Sequence, residues 1–331
     1  MDNAQGPARI GIIGAGNICR LHLDGIARHP DRVRVAALCD VNLDAARARA
    51  AECGGPAVFD NPARMLAAEP LDAAIVCTPT HVRREVLAVL IQARVPTLVE
   101  KPFAETYAEA ADIERTARAA GVPVAVNQNF RRHFAFDLAR QVLARGELGR
   151  PLQLVQTQGY FRTDVGWRLD RRRYVMSVMS IHWFDGYRFM LGDEPVSVYA
   201  RSVNSPATPG GDDTGVCVLI EFKGGTIASL SESFASFAKP DVCGLDCEAG
   251  GLVLGYKKLI EIRPNGQRIE HANPMDKADA TYWLLDDLLT AAADGRPPDT
   301  AAADNLKSMR MLEAAYRSLE LNRPVRIEEI E

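Results

Sequence analysis

The spacing of apolar positions changes character near the middle of the chain. From residue 8 to about 128, short β-rich runs alternate with stretches whose apolar residues recur at helical spacing. Strands are expected at 9–13, 33–39, 58–59, 73–77, 97–99 and 122–126, with helices between them. Asn42 and the Asn61-Pro62 pair have the chemistry of helix starts, Thr106 and Glu109 the spacing of a capping box, and Gly54-Gly55 and Gly121 that of helix stops. Alternating strands and helices predict an α/β domain with a parallel, doubly wound sheet.

The second half reads differently. A helix over 136–145 stops at Gly146, and long β-rich runs then follow at 152–161, 196–203, 216–222 and 226–234. Tight turns at Lys223-Gly224-Gly225 and Asn265-Gly266 make the pairing antiparallel. The expectation is an α+β domain with a large, mostly antiparallel open sheet, interrupted by a helical insertion at 175–191. Amphipathic helices are expected at 280–293 and 305–321, the latter aligning Leu306, Met309, Leu312, Tyr316 and Leu319. The division expected is 1–128 and 129–331, with the helix at about 303–321 packing back toward the first domain. A sheet with partial helix cover leaves an apolar face in need of a partner, so a homodimer or homotetramer through that face is expected.

Composition narrows the function. At 331 residues the chain is long for one core, and 47% apolar with 25% charged residues is ordinary for a globular protein. A formal net charge of −4 without a basic block argues against nucleic acid as a partner. No apolar run approaches the roughly 20 residues that cross a bilayer, and Met1 to Ala8 has no secretory apolar segment, so a cytoplasmic protein is expected. Seven cysteines, scattered and mostly in apolar strands, read as buried thiols in a reducing compartment. Cys243 and Cys247 have no second pair and no nearby His, so no metal site is expected.

The chemistry enters with Gly11-Ile12-Ile13-Gly14-Ala15-Gly16. An apolar strand breaks at Gly14, and a helix-like pattern begins after Gly16. Gly14 permits the tight turn, and Gly16 lets a pyrophosphate reach the amides of Asn17 and Ile18. The third glycine of G-x-G-x-x-G is replaced by Cys19, still small enough for close packing. The second strand ends in Asp40, which can accept from both ribose hydroxyls and would repel a 2′-phosphate. NAD rather than NADP is the cofactor expected.

Five landmarks then converge. Gly-Ile-Ile-Gly-Ala-Gly at 11–16, Cys-Thr-Pro-Thr-His at 77–81, Glu-Lys-Pro at 100–102, Asn-Phe-Arg-Arg at 129–132 and Ile-His-Trp-Phe-Asp at 181–185 together resemble the Gfo/Idh/MocA oxidoreductases. The resemblance implies a Rossmann domain, a substrate and oligomerisation domain, chemistry between them, and a sugar, polyol or inositol substrate. It implies that Lys101 sits at the reacting carbinol and that His182 is the acid/base. Read alone, His182 fits a buried structural histidine as well. Thr78 and Pro79 would line the nicotinamide pocket, and Glu100 would orient Lys101 or touch the nicotinamide ribose. Asn129, Arg131, Trp167 and Arg168 are candidate substrate contacts.

The sequence departs from the family in one helix. Where relatives carry Asp four residues before the histidine, this chain has Val178. Asp185 lies on nearly the same face and either orients the imidazole, contacts substrate or is structural. The run Asp170-Arg171-Arg172-Arg173 either binds an anionic substrate, is a solvated loop or makes an inter-subunit contact. The departure leaves two rivals to a dehydrogenase open: an enzyme of lyase, hydrolase or epimerase type that retains NAD, and a non-catalytic NAD sensor.

Overall fold

The computed structural model describes residues 6–164, 173–208 and 212–331. Contacts divide the chain into two compact units, residues 1–129 with 276–306 and residues 130–275 with 307–331.

In the first unit, the described strands β1 (Ala8–Ile13), β2 (Val33–Cys39), β3 (Ala57–Phe59), β4 (Ala73–Val76), β5 (Thr97–Val99) and β6 (Val124–Val126) form one parallel sheet in the order β3-β2-β1-β4-β5-β6. The doubly wound expectation is met. Strand order reverses between β1 and β4, and ligands bind such sheets beyond the carboxyl ends at that switch point. Helices α1 (Asn17–Ala27), α2 (Leu43–Glu52), α3 (Pro62–Ala68), α4 (Arg83–Gln92) and α5 (Tyr107–Ala120) connect the strands. Asn42 and Asn61 cap α2 and α3 through their side chains. At α5 only half of the capping box forms: Thr106 accepts from Glu109 N, while the Glu109 carboxylate takes Glu105 N.

The chain returns to this unit over residues 276–306, with α8 (Lys277–Asp294) and the first residues of the last helix, whereas the sequence alone predicts a single division at 128/129. Leu284, Leu285 and Leu288 of α8 enter the same buried cluster as Cys19, Leu23 and Ile26 of α1. Arg28 pairs with Asp276 and Asp279 at 2.6 Å each, and Arg32 with Asp286 at 2.8 Å. Asp276 also caps α8 reciprocally with Asp279. Arg28 and the Asp279 and Ala278 amides hold its carboxyl down at about 2. The ion pair is exposed and worth little, so the cap dominates. Asp276→Ala is expected to cost about 1 kcal/mol, read as a lower urea midpoint with unchanged slope.

The second unit contains α6 (Phe134–Ala144), β7 (Pro151–Gly159), α7 (Ile181–Leu191), β8 (Pro195–Val203), β9 (Gly215–Phe222), β10 (Ile227–Ser233), β11 (Asp241–Cys247), β12 (Gly250–Leu254), β13 (Lys258–Ile262) and β14 (Arg268–Ala272). Most of α9 (Ala302–Leu321) and the short β15 (Val325–Arg326) complete it. The described strands form one sheet in the order β14-β13-β12-β11-β7-β10-β9-β8-β15, in which only β7 and β10 pair in parallel. Along β9, Val216, Val218, Ile220 and Phe222 are buried, while Cys217, Leu219 and Glu221 face out. Val155, Leu219, Ile227, Val242 and Val253 are exposed large apolar side chains on these strands. Among the described residues no helix is long and apolar enough to cross a membrane.

Candidate active site

The glycine turn after β1 is built for close approach. Gly14 has φ +102°, and a Cβ there would lie 2.8 Å from the Cys77 carbonyl carbon and 2.9 Å from Thr78 N, so only glycine fits. A Cβ on Gly16 would meet nothing within 4 Å, so the space in front of α1 is open. No side chain caps α1. Its first-turn amides, those of Asn17 and Ile18, and its positive dipole end therefore suit a phosphate. Cys19 is fully buried, and burial pushes its thiol up to about 12, leaving it a neutral packing group.

Asp40 holds this turn together. Its Oδ2 accepts from Ala15 N at 2.7 Å and its Oδ1 from Asn42 N at 2.8 Å. Two carboxylate oxygens offer about four acceptor sites, so capacity remains for ribose hydroxyls. Open space before Gly16, an uncapped helix and this half-buried carboxylate fit NAD. Asp40→Ala is expected to weaken NADH binding by about 10- to 100-fold, through the lost charge-assisted bonds and turn anchors, while NADPH binding weakens less. Fluorescence titration with both coenzymes checks it.

At the carboxyl ends of β4, β5 and β6 lies a second group. Glu100 Oε1 accepts from His22 Nε2 at 2.9 Å and Asn127 Nδ2 at 2.6 Å, all three side chains being buried. Burial raises the Glu100 carboxyl, but His22, Lys101 and Asn127 outweigh it and hold it below its ordinary value. Half-buried Lys101 follows directly. Buried Arg83 forks onto the carbonyls around it: Nη1 donates to Glu100 O at 2.5 Å and to Pro102 O, and Nε to Thr78 O at 3.0 Å. Thr78 Oγ1, Asn127 Oδ1, Asn129 Oδ1 and both amide atoms of Gln128 are buried without a hydrogen-bond partner among the described residues. Such groups are costly to bury unpaired, and their concentration at strand ends marks a place for a polar ligand such as a carboxamide. Pro79 sits beside Thr78 at the start of the turn Thr80–Val82. Asn129 Nδ2 donates to Thr281 Oγ1 of α8 at 3.2 Å. His22 and Arg83 were not singled out from the sequence; a histidine on the apolar stripe of α1 was the available signal for the first.

In the second unit, His182 opens α7 and is 6% exposed. Its ring stacks on Phe130 with centroids 4.3 Å apart and planes within 13°. A π-helical turn, Met176–Ser180, precedes it and contains Val178, whose N–H bonds Tyr174 O at 2.8 Å. Asp185 is fully buried, and its carboxylate goes to Arg131 at 2.6 and 2.8 Å and to Ser308 Oγ at 2.7 Å, not to the imidazole. The structure therefore corrects the picture of Asp185 orienting His182: a buried bidentate pair with Arg131 is the better-satisfied alternative. Arg131 commits Nε and Nη2 to that pair. Arg173 forks onto Glu313 at 2.8 and 2.6 Å and lies over the Tyr316 ring. Trp167 and Arg168, with Asp170, Arg171 and Arg172, lie outside the described residues.

Comparison with known proteins agrees with this architecture. The oxidoreductase family model with an NAD-binding Rossmann fold, Gfo/Idh/MocA, matches residues 8–128, and the C-terminal domain model of the same family matches 136–253. A D-apiose dehydrogenase of Paraburkholderia graminis is 28% identical over 340 residues, covering 97% of this chain and 90% of that protein. A D-glucoside 3-dehydrogenase of Escherichia coli is 30% identical over 253 residues, covering 69% of this chain and 71% of that one. An oxidoreductase from Agrobacterium radiobacter, solved in complex with NAD+, L-tartaric acid and magnesium, superposes with a TM-score of 0.89 at 22% identity over 98% of this chain and 99% of that one. With the dinucleotide turn and both domain models in place, the chain belongs to the Gfo/Idh/MocA family of NAD-binding oxidoreductases.

Proposed function

We propose that the protein is an NAD-dependent dehydrogenase or reductase that interconverts a secondary alcohol and a ketone on a sugar, polyol, inositol or sugar acid. The observation that carries this is Lys101 at the carboxyl end of β5, next to a buried and bonded Glu100 and among buried polar atoms in want of a partner. Bound NAD supplies the hydride acceptor or donor. The protein's task is the rest. Lys101 stabilises negative charge on the reacting oxygen. His182 takes the hydroxyl proton in oxidation and returns it in reduction, as an imidazole can near neutral pH. The named activities of the D-apiose and D-glucoside dehydrogenases support a carbohydrate CH–OH as substrate.

An absorbance screen at 340 nm tests the reading, with NAD and NADP against D-apiose, D-glucosides, myo-inositol, aldonates and uronates. Turnover with one of these is the expected result. No net NADH from any, with coenzyme retained through gel filtration, would replace it with transient oxidation in a lyase, hydrolase or epimerase. The exposed apolar side chains on the sheet of the second unit support a homodimer or homotetramer through that face, and a monomeric mass by light scattering would reject it. Cytoplasmic residence is part of the reading, supported by free thiols at all seven cysteines.

A further inference from the structure

We infer that Glu232 is a positioning residue for His182; this rests on the proposed role of His182. Alternation along β10 turns Ala228, Leu230 and residue 232 inward. The third of these positions is a glutamate, 2% exposed, where an apolar side chain would bury at no polar cost. Two donors reach it from one short segment: Oε2 accepts from Ser180 Oγ at 2.6 Å and Oε1 from Trp183 Nε1 at 3.1 Å.

Those two donors bracket His182 in sequence. Residues three apart share a helix face, so pinning 180 and 183 to the sheet fixes the rotation of the first turn of α7. Residue 182 is then turned away from that face, onto Phe130. Phe130 in turn meets the Trp183 ring edge-on at 4.8 Å, so the imidazole plane and the indole are set by one aromatic neighbour. The π-helical turn at Met176–Ser180 makes such an anchor necessary. An inserted residue resets the helical phase just before the histidine, and π turns recur at functional sites. The rotation of α7 is therefore not inherited from a regular run behind it.

The test uses the whole protein and the reactivity of His182 with diethyl pyrocarbonate, read by mass spectrometry of its peptide. Glu232→Leu removes both acceptors and is expected to speed modification of His182 by about tenfold or more, as local opening becomes easier. Glu232→Gln accepts from Trp183 and donates to Ser180 Oγ, so it should stay within about twofold of wild type. Buried His22 is the internal control, expected unchanged in both. An unchanged His182 rate in Glu232→Leu overturns the inference. If His22 also reacts faster in Glu232→Leu, Trp183→Phe decides: faster His182 with unchanged His22 supports the assignment, and an unchanged His182 rate overturns it. Turnover of His182→Ala is measured separately. Near-normal turnover there ends the acid/base role and leaves the reactivity result standing.

Discussion

Lys101→Ala lowers kcat by about two to three orders of magnitude and leaves NADH affinity within about threefold, the loss expected of a group that stabilises charge developing on the reacting oxygen. The expectation follows from where the chain places its charges. Parallel strands bring their carboxyl ends together, and β5 ends in Glu100 and Lys101. The carboxylate is buried and bonded by His22 and Asn127, so it is a fixed anion rather than a mobile one. Arg83 secures the backbone on both sides of the lysine through the carbonyls of Glu100 and Pro102. A lysine whose backbone is fixed on both sides enters the site from a set anchor point. Lys101→Arg is expected to remain impaired, because a planar fork does not reproduce a compact ammonium. Steady-state kinetics with the substrate found by screening, beside NADH titration, separates the cases. Near-normal turnover of the alanine variant would remove Lys101 from the chemistry, and a loss confined to NADH binding would make it a coenzyme contact.

How much of this was legible in the sequence differs between the two units. The parallel sheet announced itself, because a strand buried on both faces is a short apolar run and several helix starts carry a side-chain cap, as at Asn42, Asn61 and Thr106. The glycine turn was equally plain, since Gly14 occupies a conformation and a space that no other residue can. The later strands β11 to β14 were not read individually. Their outward positions carry Asp246, Lys258 and Arg268, and glycines at 244, 250 and 251 break the alternation. Long-range pairing also hid the working polar residues. His22 meets Glu100 across 78 positions, and Glu232 meets Ser180 across 52. Arg131 and Asp185 bond each other across 54 positions, a pairing that nothing local in the sequence shows.

Asp213 yields the second large effect, and its sign runs against the usual behaviour of a bonded carboxylate. It accepts from Tyr174 N at 2.6 Å, Met176 N at 3.0 Å and the Tyr316 hydroxyl at 3.2 Å, tying down the start of the π turn that leads to His182. Burial nonetheless wins over those bonds and raises the carboxyl from 3.8 to about 6. A group raised on folding contributes its full stability below the unfolded value and loses it as pH climbs through the folded one. Ionising Asp213 in place therefore costs about 3 kcal/mol between roughly pH 4 and 7. Whole-protein stability cannot display this directly, because Glu194, Glu261 and Glu329 are all lowered and change stability in the opposite direction at acid pH. Their titration is common to wild type and Asp213→Asn and cancels in the difference. The asparagine has one acceptor oxygen and no titration, so its deficit relative to wild type should be largest near pH 4 and shrink by about 3 kcal/mol toward pH 7. Urea denaturation of both proteins across that range measures it. A deficit constant with pH would mean that Asp213 ionises as readily folded as unfolded, and the buried carboxyl would then be a simple acceptor for the π turn with no energetic tension behind it.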